Sequence, residues 1–340
     1  MKAIYLVKNG DAATAFELRE TADPIPSSGE VRIKVEAFGL NYADVMARNG
    51  LYREAPPLPC VLGYEVVGRI DQVGENVPND LLGQRVVAFT RFGGYAEYAI
   101  TNPQAFTRID DLDAGAALSI ATQYVTAYYM TYELTNLFPG DRVLVHAGAG
   151  GVGTALIQLC KRKGCEVFAT AGSEDKLNYM REQGADHVID YRKHDYAVEM
   201  KRLLGEQRLD MTFNPIAGST FKKDYTLLGS GGRIALFGGS ERSGKKWGFF
   251  STLNFVRKMG FLIPIGTMMR SKSILGVNML KIGDNKPATL HRCLQEVAEL
   301  VLQGEVKPHI GGHFSSKEIA RAHALLEDRK SIGKIIVTWE

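Results

Sequence analysis

Residues 148–153 read Gly-Ala-Gly-Gly-Val-Gly, a G-x-G-x-x-G pattern. The pattern follows the apolar run 142–147, which is typical of a strand, and opens the helix-like stretch 152–163. A glycine-rich turn between a strand and a helix suits a dinucleotide, because the helix N-terminus favours phosphate. The sequence therefore predicts a dinucleotide-binding turn inside a βαβ unit.

The glycines of this turn have different expected roles. Gly148 is expected to allow a tight turn and Gly150 to let the backbone approach the pyrophosphate, whereas Gly153 lets helix and strand pack closely. The first helical N–H groups, at Gly151 and Val152, are expected to face the phosphates.

The tip of the second predicted strand, 165–170, indicates which dinucleotide is bound. An NAD site places a carboxylate about 20 residues after the glycines, but this chain continues with Ala-Gly-Ser, ending at Ser173. Small residues leave room for a 2′-phosphate, and Lys176 supplies a cation one turn later. We therefore expect NADPH, with the alternative that Lys176 is only a solvated helix lysine. Tyr191 and Arg192, which follow the third strand, are expected to flank the adenosine.

Composition excludes several classes of function. The 340 residues are 45% hydrophobic and 23% charged, with a formal net charge of +3, which is too small to indicate nucleic acid. The four cysteines form no C-x-x-C pattern, and no apolar run reaches the roughly 18 residues of a spanning helix. With no signal-peptide pattern at the N-terminus, we expect a cytoplasmic protein.

The predicted pattern of strands and helices changes twice along the chain. Residues 1–123 are rich in short strands and turns, which predicts a compact β domain. Between 124 and 278, after a predicted helix at 124–136, apolar strands alternate with helices, which indicates a doubly wound parallel sheet. Residues 279–340 are predicted to return to the first domain. The predicted strands of the central region are 142–147, 165–170, 187–189, 210–213, 233–237 and 273–277.

A long connection, 240–271, is basic at first and then aromatic and apolar. Such a segment is predicted to wall a pocket or join a subunit interface. A membrane contact through residues 245–263 is an alternative, because basic and aromatic side chains suit a headgroup interface.

The stretch Asn41 to Tyr52 reads Asn-x-x-Asp-x-x-x-Arg-x-Gly-x-Tyr. Together with residues 63–68, the glycine turn and Gly333-Lys334, it resembles the zinc-independent quinone oxidoreductase branch of the medium-chain dehydrogenase/reductase superfamily. Residues 224–281 and 307–310 are further similar to the vesicle amine transport protein homologues.

The resemblance implies a two-domain α/β architecture. A GroES-like catalytic domain would comprise 1–123 and 279–340, and a Rossmann NADP-binding domain would comprise 124–278. The resemblance also implies a homodimer joined through the sheet edges.

Zinc members of the superfamily carry two cysteines and a Gly-His-Glu motif that this chain lacks. Asn41 stands where the first thiolate would fall, Tyr64 replaces the histidine, and no cysteine lies between Cys60 and Cys160. Zinc needs three or four converging ligands, so no metal is expected, and His146 beside the glycine turn is expected to be structural.

Without a metal, hydride addition to an electrophilic acceptor is more plausible than alcohol oxidation. By resemblance, Tyr52 is expected to donate to the developing oxyanion, Asn41 to lie near the nicotinamide, and Tyr64 to line the space vacated by zinc. Asp44 is expected to orient a neighbour.

The remaining cofactor contacts come from resemblance and from position. Thr126 resembles a residue that contacts the nicotinamide-side phosphate or ribose. Phe237, Gly238 and Asn278 fall at strand ends, where ligands bind in such sheets.

The sequence is compatible with three functions. The first is an NADPH-dependent reductase of quinones or related electrophilic carbonyl acceptors. The second is an enoyl or 2-alkenal reductase of α,β-unsaturated carbonyls. The third is an NADPH-binding protein, associated with a membrane or a partner, whose catalysis is weak.

Overall fold

The computed structural model describes residues 1–242, 248–261 and 263–339. The chain divides into two compact units. The first contains Met1–Thr126 and Met279–Glu340, and the second contains Ala127–Asn278.

The strands of the described residues are β1 (Lys2–Leu6), β2 (Phe16–Glu20), β3 (Val31–Leu40), β4 (Cys60–Val61), β5 (Glu65–Val73), β6 (Arg85–Phe89), β7 (Tyr98–Thr101), β8 (Phe106–Arg108), β9 (Arg142–Val145), β10 (Glu166–Ala171), β11 (His187–Asp190), β12 (Leu209–Asn214), β13 (Leu228–Leu236), β14 (Ser273–Gly276), β15 (Ile310–Ser315) and β16 (Lys334–Thr338). The helices are α1 (Ala12–Ala15), α2 (Tyr42–Arg48), α3 (Ala114–Ser119), α4 (Val125–Tyr128), α5 (Gly151–Arg162), α6 (Glu174–Glu182), α7 (Tyr196–Leu204), α8 (Ser219–Leu227), α9 (Gly248–Met259), α10 (Pro264–Met269), α11 (Met279–Asn285), α12 (Pro287–Leu302) and α13 (Ile319–Glu327).

The first unit is built on a sheet of order β15-β16-β3-β5-β6-β8, with β7 also paired to β3. Its long strand β3 alternates buried Val31, Ile33 and Val35 with more exposed residues, as expected of a strand with one face in the core. The chain returns to this sheet at its end, because β16 pairs antiparallel with β3.

The second unit is a six-stranded sheet of order β11-β10-β9-β12-β13-β14, and every pairing in it is parallel. The chain runs outward from β9 in one direction and from β12 in the other, so the strand order reverses between these two strands. Ligands of such sheets bind beyond the carboxyl ends at that reversal. The predicted doubly wound parallel sheet is confirmed.

Helix α5 follows the glycine turn, as the sequence predicts. Leu156 and Leu159 on its apolar face are fully buried. The helix ends before Gly164, whose φ of +77° is the left-handed conformation of a C-terminal glycine.

The predicted helix at 124–136 is wrong in its bounds. Helical structure begins ten residues earlier, at α3, and passes through wider turns at Ile120–Tyr124 and Tyr129–Glu133. The start is set by Asp113, whose side chain accepts a hydrogen bond from the Ala116 N–H at 2.9 Å. A capping aspartate ahead of small residues gives a helix start that the apolar periodicity did not reveal.

Other bounds differ by a few residues. Strand β13 begins at Leu228 rather than at 233, in a glycine-rich stretch that gives little strand signal. A capping box precedes α13, since the Ser315 N–H donates to Glu318 Oε2 at 3.1 Å.

The connection 240–271 contains α9 and α10. Lys245, Lys246 and Trp247, on which the membrane hypothesis partly rests, lie outside the described residues. Within the part of the chain that is described, no helix combines the length and the apolar character needed to cross a membrane.

Candidate functional sites in the two units

Asn41 lies at the junction between β3 and α2 in the first unit. Its backbone N–H donates to Asp44 Oδ2 at 2.8 Å, and the other oxygen of Asp44 accepts from the Gly63 N–H at 3.2 Å. One carboxylate therefore joins the start of α2 to the loop before β5. Asp44 is fully buried, and burial, followed by the nearby Glu65 carboxylate, raises its pKa to about 7.

The Asn41 carboxamide is held at both ends. Its Nδ2 donates to Glu65 Oε1 at 2.8 Å, and its Oδ1 accepts from Lys334 Nζ at 3.3 Å. Lys334 also forms an ion pair with Glu65 and donates to the Leu40 carbonyl at 3.4 Å. Glu65 and Lys334 are 0% exposed, whereas Asn41 is 8% exposed.

A glycine makes this ion pair possible. Glu65 begins β5 and Lys334 begins β16, and these strands flank β3 on its two sides. A Cβ on Gly39 of β3 would lie 2.3 Å from Glu65 Oε1 and 2.5 Å from Lys334 Cε. The two charged side chains therefore meet over the one position of β3 that carries no side chain.

Tyr52 and Tyr64 form an aromatic cluster with Phe92. The rings of Tyr52 and Tyr64 meet edge to face with centroids 6.1 Å apart, and Tyr64 lies 5.2 Å from Phe92. Burial, and then the Glu54 carboxylate, raises the pKa of Tyr52 to about 12, and burial raises the pKa of Tyr64 further. Both phenols are therefore protonated at neutral pH.

Ion pairs connect the loop that carries Tyr52 to helix α11. Glu54 pairs with Lys281 at 3.1 Å, and Arg91 pairs with Asp284 at 3.0 Å and with Glu54 at 3.9 Å. The segment around Tyr52 is thus joined to the returning C-terminal part of the same unit.

The glycine turn of the second unit is packed closely against its own backbone. A Cβ on Gly153 would lie 2.3 Å from the Ala147 carbonyl oxygen, and one on Gly148 would lie 2.5 Å from Met180 Sδ. Gly150, by contrast, has only the Ala147 oxygen near, at 3.3 Å. Gly150 is therefore the least crowded of these three glycines, as expected for an approach to phosphate.

The expected role of Gly148 in the turn needs correction. The left-handed residue of this turn is Ala147, with φ of +52°. Gly148 is required instead because Met180 and Ala169 pack against its Cα. The N–H groups of Gly151 and Val152 open helix α5 and have no acceptor within it.

The tip of β10 brings together the residues expected to recognise the adenosine side. A Cβ on Gly172 would lie 2.8 Å from Tyr191 Oη and 3.0 Å from Arg192 Nε. Ser173 precedes α6, and Lys176 is half-buried in its first turn. The Tyr191 phenol, the Arg192 guanidinium and the start of α6 therefore surround Gly172, which has no side chain.

A buried polar network lies at the ends of β9, β10 and β12. Asp224 is its centre and accepts from Tyr196 Oη at 2.8 Å, Asn214 Nδ2 at 2.5 Å and His146 Nε2 at 3.0 Å. His146 Nδ1 lies 3.2 Å from Thr170 Oγ1. His146 and Asp224 are 1% and 0% exposed, so the histidine joins strand ends together.

Four more predicted cofactor residues have defined positions. The Thr126 hydroxyl donates to the Thr122 carbonyl at 2.6 Å. The Phe237 N–H donates to the Asn214 carbonyl at 3.3 Å, and Gly238 packs on Pro215. Asn278 follows β14, two residues after its end.

Sequence reasoning assigned no role to several members of these clusters, among them Glu65, Lys334 and Asp224. The available signal was a charge at the start of an apolar strand, with Glu65 before Val-Val and Lys334 before Ile-Ile-Val. Their opposite signs would have predicted a pair. Asp224 lies on a helix with lysines, where the sequence gives no indication of burial.

Two family models match the chain. An alcohol dehydrogenase GroES-like domain matches residues 27–111, and a zinc-binding dehydrogenase domain matches residues 151–296.

The chain is similar over most of its length to proteins that have been named or solved. The synaptic vesicle membrane protein VAT-1 homolog of Danio rerio is 32% identical over 320 residues, which are 93% of this chain and 66% of the relative. The quinone oxidoreductase of Homo sapiens is 30% identical over 340 residues, 99% of this chain and 97% of the relative. Mycobacterial Rv1454c, whose native structure was solved in complex with NADPH, is 27% identical, with a TM-score of 0.86 over 99% of both chains.

Proposed function

Because the chain belongs to the medium-chain dehydrogenase/reductase superfamily, among relatives of the VAT-1 homolog and quinone oxidoreductase kind, we propose that it is an NADPH-dependent reductase. Its proposed acceptor is a quinone or a related electrophilic carbonyl compound. The observation that carries this proposal is that the half-buried, protonated Tyr52 and the Asn41 carboxamide lie in the same unit. Both side chains provide N–H or O–H donors for a developing oxyanion.

Zinc, which the name of the matched dehydrogenase family implies, does not fit this donor set. Asn41 Oδ1 and Glu65 Oε1 already face the Lys334 ammonium, and a second cation there would be repelled at low dielectric. Among the described residues, no group of three His, Cys, Asp or Glu side chains converges as a metal site requires. The proposed reaction therefore contains no step through a metal.

NADPH does fit the residues of the second unit. Gly150 is the least crowded of the three motif glycines, where a phosphate would approach, and Tyr191 Oη and Arg192 Nε lie over Gly172, where they would contact the 2′-phosphate. A charged contact of this kind contributes on the order of 1.5–3 kcal/mol. The similar mycobacterial protein that was solved with NADPH supports this choice. Ser173, Lys176, Phe237, Gly238, Asn278 and Thr126 complete the proposed cofactor contacts.

The bound cofactor would supply the hydride. The chain would supply the stabilisation of the oxygen on which negative charge develops, and Tyr52 is the proposed donor. A phenol with a pKa of about 12 keeps its proton at neutral pH, so it can donate a hydrogen bond to a phenolate or enolate oxygen. Tyr64 would support the Tyr52 ring, and Asn41 would orient the acceptor side of the reaction.

The domain roles follow the same proposal. Residues 1–123 and 279–340 would form the catalytic domain, and residues 124–278 would bind the cofactor. A homodimer and a cytoplasmic location remain predictions from the sequence.

The proposal is tested by the oxidation of NADPH and of NADH with 1,4-benzoquinone, 9,10-phenanthrenequinone and an aliphatic enone. We expect fast turnover with NADPH and a quinone. A preference for the enone would replace the quinone assignment by alkene reduction, because Tyr52 could serve either oxyanion. Tight NADPH binding without turnover would favour the binding-protein hypothesis.

The role of Tyr52 is tested by Tyr52→Phe, which removes only the hydroxyl. We expect kcat to fall by roughly 100-fold, with NADPH affinity unchanged. Tyr5→Phe, in strand β1 of the same unit, is the matched control and should keep full activity. Full activity of Tyr52→Phe would reject the assignment.

A further inference from the structure

The ion pair of Glu65 and Lys334 is not explained by stability. Both side chains are 0% exposed, and removing two charges from water costs several kcal/mol per ion, which their attraction only offsets. Apolar residues of similar volume commonly stabilise a protein as well as such a pair does. The groups that Glu65 and Lys334 contact therefore indicate what the pair does beyond packing.

The pair contacts the two ends of one carboxamide. Glu65 accepts from Asn41 Nδ2, and Lys334 donates to Asn41 Oδ1. If the amide turned over, its nitrogen would face the ammonium and its oxygen would face the carboxylate. Donor would then meet donor and acceptor would meet acceptor, so only one orientation is compatible with the pair.

Glu65, Lys334 and Asn41 differ in whether a ligand can contact them. Glu65 and Lys334 have no exposed surface, so a ligand of this unit cannot touch them, whereas Asn41 retains some exposure. One amide N–H and one oxygen lone pair of Asn41 remain after its bonds to the pair. Asn41 is therefore the member of the cluster through which the pair can act on a ligand by contact.

We propose that Glu65 and Lys334 are positioning residues that fix the orientation of the Asn41 carboxamide for the reaction. The proposal rests on the proposed reductase function, and it assigns to Gly39 the role of keeping β3 clear so that the pair can form. Without the pair, the carboxamide can rotate, and its free N–H no longer has a fixed direction.

The test is a cycle between Asn41→Ala and the double variant Glu65→Gln/Lys334→Met, which removes both charges together. We expect the double variant to fold and to lose kcat/KM by about 100-fold, the order of a misplaced contact group. In the Asn41→Ala background the same double change should cost nothing further, because the pair acts through Asn41. If instead the losses of kcat/KM from Asn41→Ala and from the double variant multiply when combined, the pair acts independently of Asn41. That result would show a merely structural role and overturn the proposal.

Two further variants keep the test decisive. Lys34→Met removes an exposed lysine of β3 and should keep full activity. Glu65→Asp keeps the charge but withdraws the carboxylate from Asn41, so it should lose kcat/KM even if the double variant fails to fold. Full activity of Glu65→Asp would contradict the proposal.

A spectroscopic measurement separates this proposal from the reductase function itself. The side-chain amide signals of Asn41 are identified by NMR from their loss in Asn41→Ala. If the pair orients the amide, both signals should shift and exchange faster with solvent in Glu65→Gln/Lys334→Met, whether or not any acceptor is reduced. Unchanged signals would reject the positioning role, whereas shifted signals in a protein without turnover would reject only the reductase function.

Discussion

Both units bury a carboxylate among polar partners, but they satisfy it in different ways. In the first unit Glu65 meets an ammonium from a residue 269 positions away in the chain. In the second unit Asp224 accepts from a phenol, an amide and an imidazole that project from neighbouring strand ends and helices. The first arrangement places a full charge pair beside Asn41, whereas the second distributes one carboxylate over several donors that hold strand ends together.

The two clusters differ in their expected roles, since the first is expected to serve the reaction and the second to stabilise the fold. Among the residues of the first cluster, Asn41 retains exposed surface and is predicted to meet a ligand. The second cluster lies at the ends of β9 and β12, where the glycine turn begins, and its members Asp224 and His146 are fully buried. We therefore expect changes in the first cluster to act mainly on activity and changes in the second to act mainly on stability.

The largest expected effect is that of Asp224→Ala. Three donors lose their buried acceptor at once, so the free energy of unfolding should fall by about 3–5 kcal/mol. Urea denaturation measures this change. Asp175→Ala, on the exposed surface of α6, is the matched control and should lose far less. Equal losses from the two variants would mean that the network does not support the second unit.

The next prediction concerns Asp44, which has two backbone N–H donors and complete burial. The folded protein keeps its proton up to about pH 7, whereas an unfolded aspartate releases it near pH 4. The folded state thus binds more protons between these values, so this group makes the protein less stable as pH rises from about 4 to about 7.

Asp44→Asn should remove this dependence. The free energy of unfolding of the variant, minus that of the natural protein, should rise across the window by up to about 1.4 kcal/mol per pH unit. Denaturation at several pH values measures the difference and cancels the contributions of other groups, including His323, whose pKa burial lowers to about 3. A difference that does not change with pH would contradict a proton held on Asp44.

A smaller effect is expected at the surface of the second unit, where charge should select the cofactor. Arg192 lies beside Gly172, so Arg192→Ala should reduce the preference for NADPH over NADH by roughly 10- to 150-fold. Lys193→Ala is the control, since Lys193 is already paired with Glu174 and Asp190. The ratio of kcat/KM for the two cofactors measures the preference, and equal effects of both variants would reject recognition by Arg192.

The same contrast explains what the sequence could predict. The glycine turn, its flanking strand and helix α5 follow from residues that are adjacent in the chain, so local pattern was sufficient. The charged pair of the first cluster depends on strands β5 and β16 meeting across β3, which no local pattern contains. Glu65 and Lys334 were visible only as isolated charges at strand starts.

The helix starts show a second limit. Asp113 caps α3 through one side-chain hydrogen bond, but the residues that follow are small and apolar without a clear period. The Asp224 network was also hidden, because its helix carries Lys222 and Lys223 beside the buried carboxylate. Burial of a polar side chain is decided by tertiary contacts, and composition near it gives little indication.

The smallest expected effect concerns the glycine turn, where the left-handed residue is an alanine. A left-handed conformation costs a residue with a Cβ about 1–2 kcal/mol, whereas a glycine adds up to about 1 kcal/mol of entropy to the unfolded chain. Ala147→Gly should therefore raise the free energy of unfolding by roughly 0.5–1 kcal/mol. Ala149→Gly, at a buried position of the same turn without positive φ, should lower it instead. Each variant removes one methyl group from the turn, so comparing their free energies of unfolding by urea denaturation separates backbone strain from packing. If both variants are destabilised equally, the turn stores no strain at Ala147.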